Sequence, residues 1–243
     1  MVKRPRIWLT RPQEDSAALA AELEKLGIAS IVAPVMHITR AAFTVPTSMP
    51  NAILLTSRHA AYAVAQLPAS FRALPTYCVG SATAHMAREF GCSNIIPGSG
   101  DVLALLPRLA ASMGPNSDLL YLAGEEVSVD VAHLLSMHSI RVSSCVVYRS
   151  VAETKLPDTL IDAVKANTLD AVAFFSSRSA LVARNLLEEA GLAAQVTTIE
   201  AFCLSLQVAA NAGGLPWKKL HACHQPTREA MRDLMVSQLQ KTL

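Results

Sequence analysis

Two apolar runs end in nearly the same way, Leu54-Leu55-Thr56-Ser57-Arg58 and Phe174-Phe175-Ser176-Ser177-Arg178, a domain's length of chain apart. Thr10-Arg11 and Gly80-Ser81-Ala82-Thr83 make two further corners of the same character. Each reads as a strand end running into the start of a helix, where hydroxyls and free backbone N–H groups meet the positive end of a helix dipole. That chemistry suits an anionic ligand. Ser and Thr are also the ordinary N-caps of helices, worth about 1 kcal/mol each, so one corner alone carries little. Four alike, repeated across the chain, point to a shared cleft for a small acidic metabolite.

Tyr148 is of another kind. It closes a β-like run at a linker and is expected to project into the space between domains, where a phenol donates a proton or a hydrogen bond to a departing oxygen. The competing reading is an amphipathic tyrosine that packs a hinge. His59 and His85 each fall in a first helical turn, where capping and surface roles compete with acid–base work. His221-Ala222-Cys223-His224 lies in a strand and lacks a second ligand pair at a metal-binding spacing, so no metal is expected. Glu125-Glu126 and Glu188-Glu189 read as solvated helix faces. Gly98 and Gly100 fall outside the glycine orders that cradle nucleotide phosphates, which counts against a nucleotide-dependent transferase.

The elements that position these residues alternate strand and helix. A strand at 7–10 precedes a helix with Leu19, Leu23 and Leu26 on one face and Gly27 in the C-terminal cap position. The strand "IASIVAPV" and an extended, proline-bearing connection over 37–50 follow. Strands at 51–56, "TYCVG", "SNIIP", "DLLYLAG" and "IRVSSCVVYRSV" alternate with helices from about 58, over "SATAHMAREFG", 101–113 and 126–138. After "ETKLPDT" come a helix at 158–167, the strand "DAVAFF", a helix over "SRSALVARNLLEEAG", the strand "VTTIEAF", a helix over "SLQVAANAGG", the strand "KLHACH" and a helix at 227–241. Apolar strands alternating with helices predict an α/β fold with parallel sheets covered by helices. The segments after 51 and after 170 match in kind, which predicts two similar α/β domains. One is discontinuous, residues 1–36 with 157–243; the other is inserted, 51–147; and 37–50 and 148–156 form a two-stranded linker.

The 243 residues suffice for two such cores. Hydrophobic residues are 51% and charged ones 16%, which argues against disorder. A net charge of +2 with 21 scattered Lys and Arg excludes nucleic acid as the expected partner. No apolar stretch is long enough for a membrane span, and "MVKRPRIWLTRP" has no apolar signal core, so a soluble cytoplasmic protein, taken as a monomer, is expected. Five cysteines, an odd number with no Cys-x-x-Cys pair, read as reduced and mostly buried thiols.

Taken in order, Thr10-Arg11-Pro12 with "LAAELEKLG", the Thr56-Ser57 strand end, "VGSATA", Val147-Tyr148-Arg149, "FFSSRSA" and "QPTREAM" resemble the uroporphyrinogen-III synthase family over nearly the whole chain. The resemblance implies two α/β domains on a two-stranded connector and a cofactor-free, cyclising lyase. Its substrate would be hydroxymethylbilane, a linear tetrapyrrole rich in carboxylates. Loss of the terminal hydroxyl gives an azafulvene; attack on the substituted carbon of the last ring, then fragmentation and reclosure, inverts that ring. Carried over residue by residue, substrate binding falls on Thr10, Arg11, Thr56, Ser57, Arg58, Gly80, Thr83, Ser176, Ser177 and Arg178, with Ser205 as counterpart of Thr83, and Tyr148 stands near the leaving hydroxyl. Two positions depart from the pattern: Glu200 stands at a place after a strand where glycine is frequent, and Ser128, four positions after Gly124, stands where arginine is frequent. A two-domain protein that binds an anionic metabolite without turnover is the alternative.

Overall fold

The computed structural model describes residues 4–240. Along the chain run β1 (Arg6–Leu9), α1 (Gln13–Lys25), β2 (Ala29–Val32), β3 (Met36–Arg40) and β4 (Ala52–Leu55), then a 3-10 helix (Arg58–Gln66) and α2 (Ala69–Arg72). β5 (Thr76–Cys78), α3 (Ser81–Glu89), β6 (Ile95–Pro97), α4 (Val102–Met113), β7 (Asp118–Gly124), α5 (Val131–Ser136) and β8 (Arg141–Ala152) follow. The remainder is α6 (Asp158–Lys165), β9 (Ala171–Phe174), α7 (Ser177–Glu189), a 3-10 turn (Gln195–Thr198), β10 (Glu200–Cys203), α8 (Leu206–Ala212), β11 (Lys219–Ala222) and α9 (Arg228–Leu239). The chain divides into two units, one made of the residues up to His37 with those from Val151 onward, the other of Ile38–Ser150.

The first unit holds a parallel sheet in the order β11-β10-β9-β1-β2. Its strands are apolar at most positions because both faces are covered. In β1, Ile7 and Leu9 face a core shared with Leu19 and Leu23 of α1 and Met231 and Met235 of α9. Trp8, between them, faces a second core with Leu160, Ala180 and Ala183 from α6 and α7. Alternation of side chains across a strand is the reason for the split. The Trp8 indole N–H, buried on that face, donates to the Ala33 carbonyl at 2.6 Å. Gly27 ends α1 at φ 81°, a left-handed conformation that glycine adopts without strain, with its N–H bonded to the Glu24 carbonyl.

The second unit holds a sheet in the order β3-β8-β7-β4-β5-β6, and the pairs from β8 to β6 are parallel. Again the faces alternate: Ile53, Leu55, Leu120 and Leu122 enter one core and Ala52, Leu54, Leu119 and Tyr121 the other. The helix expected from 58 is a 3-10 coil, and its Ala60, Ala61 and Ala63, all fully buried, are small enough to bring it close to the sheet. The helix expected over 126–138 is shortened to α5. Asp130 accepts a hydrogen bond from the His133 N–H at 2.9 Å and sets the helix start, leaving β-branched Val127 and Val129 in irregular chain before it. The strand expected over 196–202 begins only at Glu200, because residues 195–198 form a 3-10 turn that the Thr197 hydroxyl supports by bonding to the Ala194 carbonyl. Among the described residues no helix is long and apolar enough to cross a membrane.

Candidate functional site

Ligand sites of parallel sheets gather beyond the carboxyl ends of the strands. In the second unit that edge holds a cavity of about 340 Å³, lined among others by Thr56 and Ser57 after β4, Asp101 before α4, Tyr121 and Gly124 of β7, and Tyr148 of β8.

The position of Tyr148 follows from a slip in strand pairing. β7 and β8 run in step from Asp118 opposite Arg141 to Ala123 opposite Val146, and then Gly124 pairs with Tyr148, skipping Val147. One extra residue in β8 is a β-bulge. In an unbroken strand Val147 and Tyr148 would point to opposite faces; here both pack against the same core. The Glu125 N–H donates to the Tyr148 carbonyl at 3.0 Å, and the Tyr62 hydroxyl donates to the carbonyl of the bulged Val147. Arg40 lies over the Tyr62 ring, 4.5 Å from its centroid. The strand continues past Tyr148 to Ala152, within one residue of the expected end of that run but into the stretch 148–156 read as a linker. Its ring packs against the core of its own unit and lines that unit's cavity, with the His59 ring 5.8 Å away at 56°.

Behind Tyr148 stands a second phenol. Tyr121 is 5% exposed, and its hydroxyl shares a 2.9 Å hydrogen bond with the Thr56 hydroxyl. Thr56 follows Leu54 by two positions and Leu54 pairs with Tyr121, so both side chains stand on one face of the sheet. Burial pushes the Tyr121 phenol's pKa up; the bond to Thr56 opposes this and the neighbouring Tyr148 adds to it.

Ser57 caps the 3-10 helix, accepting from the His59 N–H at 3.2 Å, and Arg58 is that helix's first residue. Gly80 is the N-cap of α3 and bears no side chain to close it, while Thr83 is buried in its first turn. Neither Gly80 nor Thr83 lines the cavity. Gly98 and Gly100 fold their loop onto the end of β5 through N–H bonds to the Cys78 and Val79 carbonyls, both at 2.7 Å. Gly98 has to be glycine, because a Cβ there would stand 2.8 Å from the Val79 oxygen.

At the carboxyl edge of the first unit, Ser176 caps α7, accepting from the Ser179 N–H at 3.1 Å and sharing a 2.8 Å bond with the Ser179 hydroxyl. Ser177 and Arg178 begin that helix. Ser205 caps α8 through Val208 at 3.3 Å, and Thr227, absent from the candidates above, caps α9 through Ala230 at 3.1 Å. Thr10 is fully buried, and its hydroxyl donates to the Ala173 carbonyl at 2.6 Å, clipping β1 to β9. Arg11 is engaged by Asp15 at 3.1 Å and lies 4.9 Å from the centroid of the Phe175 ring.

Glu200 stands elsewhere than its departure from the pattern suggested. It opens β10 rather than following it, so it lies at the opposite end of the strand from Ser205. Lys218 at 2.9 Å and His221 at 2.8 Å hold its carboxylate. His221 also stacks on Phe202, with ring centroids 4.6 Å apart, and so has a structural role in the strand.

The sequence model of the HEM4 family, described as uroporphyrinogen-III synthase HemD, matches residues 17–233. The chain belongs to the uroporphyrinogen-III synthase family. It is therefore a cyclising lyase of tetrapyrrole biosynthesis, and its substrate is a tetrapyrrole. Its fold is similar to that of uroporphyrinogen-III synthetase from Helicobacter pylori, with a TM-score of 0.62 at 15% identity over 97% of this chain and 99% of that one. A mutant uroporphyrinogen III synthase from Thermus thermophilus gives a TM-score of 0.50 at 15% identity, over 98% of this chain and 100% of that one. A search of curated proteins gave no match. Within the family frame, Tyr121 and Gly124, where a Cβ would collide with the Tyr148 ring, are the features that sequence reading passed over. Tyr121 sits in an apolar strand with nothing local to mark it, and Gly124 signals its role only once Tyr148 is known to lie across from it.

Proposed function

We propose that the protein closes hydroxymethylbilane to uroporphyrinogen III, and that the cavity of the second unit receives the hydroxymethyl-bearing end of the substrate. The observation that carries this reading is the lining of the cavity: the Tyr148 phenol and the Thr56 and Ser57 hydroxyls share it with the carboxylates of Asp101 and Glu126, and no lysine or arginine among the described residues lines it. Such a lining suits an uncharged alcohol better than a carboxylate. Tyr148 gives its proton to the hydroxyl, which leaves as water with the electron pair of the broken C–O bond. The pyrrole N–H releases the proton that balances this loss, giving the azafulvene.

Substrate carboxylates go instead to helix N-termini, where main-chain N–H groups and the dipole favour negative charge. The start of α3, with Gly80 and Thr83, and the starts of α7 and α8, with Ser176, Ser177 and Ser205, are the places assigned to them. Arg11, Arg58 and Arg178 supply charge, and Thr10, just past β1, fixes the strand end that leads into Arg11. Holding one conformation of a flexible chain supplies several kcal/mol of barrier reduction, on the order of what oriented intramolecular reactions gain. The reading extends to a cytoplasmic monomer, in keeping with five free cysteines; light scattering of the purified protein tests the oligomeric state.

The deciding experiment incubates pure protein with hydroxymethylbilane and separates the product isomers. Enzyme-dependent formation of the inverted isomer supports the reading. Only the uninverted isomer, formed at the rate of the uncatalysed closure, refutes it.

A further inference from the structure

We propose that Tyr121 is a positioning residue that aims the Thr56 hydroxyl proton into the cavity as a second donor to the departing oxygen. The inference rests on the cavity reading above and deepens it. Two hydroxyls 2.9 Å apart share one proton between them, and their order decides which oxygen is left able to donate elsewhere. A phenol is the stronger acid and the stronger donor of the pair, so Tyr121 donates and Thr56 accepts. The Thr56 hydroxyl proton is then turned away from Tyr121, and the cavity that both side chains line is what it meets. Burial, which pushes the Tyr121 phenol's pKa up, keeps it in the protonated form that this order needs.

The arrangement is rigid. Tyr121 packs in the core with Leu54, its partner across the strand pair, and β4 and β7 are joined in register from Ala52 opposite Leu119 to Leu55 opposite Leu122. A hydroxyl held in place before the reaction stabilises charge on a leaving oxygen without reorganising, which is why preorganised donors count more in the transition state than in the bound ground state. Tyr148 and Thr56 together would grip the leaving oxygen, one giving the proton and the other a hydrogen bond.

The test measures kcat, KM and thermal midpoint for Tyr121→Phe, Thr56→Val, Thr56→Ser and the two double variants with Tyr121→Phe, scoring product isomers throughout. Tyr121→Phe is expected to lower kcat about 5-fold, the loss of one oriented hydrogen bond, with KM changed less than about 2-fold. In the Thr56→Val background the same substitution should change kcat no further, whereas in Thr56→Ser, which keeps a hydroxyl, the sensitivity should persist. A purely structural role would make the effect of Tyr121→Phe independent of the residue at 56, and that result overturns the inference, as does a Tyr121→Phe enzyme with unchanged kcat. If the unmodified protein yields only the uninverted isomer, the cavity reading and this inference fall together; if it inverts the ring while Tyr121 proves silent, only the inference falls.

Discussion

The ring of Tyr148 occupies the space that a side chain on Gly124 would need: a Cβ there would stand 2.6 Å from Cζ and 2.7 Å from the hydroxyl oxygen. Three side-chain atoms fall within 3.0 Å, so a methyl group cannot be accommodated by a small shift. The backbone on both sides is pinned by the bulge and by the Glu125 N–H bond to the Tyr148 carbonyl. Gly124→Ala should therefore push the phenol out of the cavity. Loss of about 1–3 kcal/mol of stability in urea unfolding is expected, as for other overpacked sites, with turnover falling as far as in a variant lacking the phenol. In Gly124→Ala/Tyr148→Ala the clash goes with the ring, so the double variant should be about as stable as Tyr148→Ala alone, which itself loses the ring's packing against the core. An alanine variant with unchanged turnover would show that the ring's placement does not matter.

Tyr148→Phe removes one oxygen and leaves the packing of the ring intact. Folding should be retained and turnover should drop by about 10-fold or more, given that a general acid is typically worth about 100-fold or more. Steady-state rates of inverted-isomer formation measure it. Unchanged rates would reduce Tyr148 to a packing residue.

Glu200 makes stability depend on pH. Burial pushes its carboxyl up, but hydrogen bonds from Lys218 and His221 and their charges outweigh it, and its pKa in the folded state lies below the ordinary one. As pH falls, the unfolded chain takes up this proton first, near the ordinary carboxyl value of about 4.3. Stabilisation is thus complete above that value and is lost as pH drops through the lower, folded-state value. Urea midpoints across this range should fall more steeply for the native protein than for Glu200→Gln. Parallel curves would mean that the pair contributes nothing.

The thiols separate by environment. Burial pushes Cys78 and Cys203 up to about 12, with Cys92 and Cys223 adding to the effect as respective neighbours. Cys145, half-buried on β8, is pushed up only by partial burial. Since the thiolate is the reacting form, alkylation of the native protein at about pH 8 should label Cys145 first and leave Cys78 and Cys203 untouched until the chain unfolds. Peptide mapping by mass spectrometry gives the order, and early labelling of Cys203 would contradict the burial of β10.

The α/β character was legible because strands covered on both faces are apolar throughout; "DLLYLAG" coincides with β7 from first to last residue. The capping corners were legible for the same local reason, since Ser57, Ser176 and Ser205 each bond to an N–H within three residues. What stayed hidden depends on partners far along the chain. The bulge that turns Tyr148 is a property of β7 and β8 together, and the Tyr121–Thr56 bond joins residues on different strands. Glu200 was misplaced because the 3-10 turn at 195–198 delays the strand, so a residue expected late in a strand over 196–202, or just after it, becomes the first residue of β10.

β1 lies inside its sheet, with β2 on one side and β9 on the other, and Thr10 is clipped to Ala173. On the ribosome, its second edge stays open until the far half of the chain has emerged, long after the segment forming the other unit is available to fold. Paired with β2 alone, β1 must therefore wait with one apolar edge unsatisfied. Nascent chains halted before β9 should be those most in need of a chaperone.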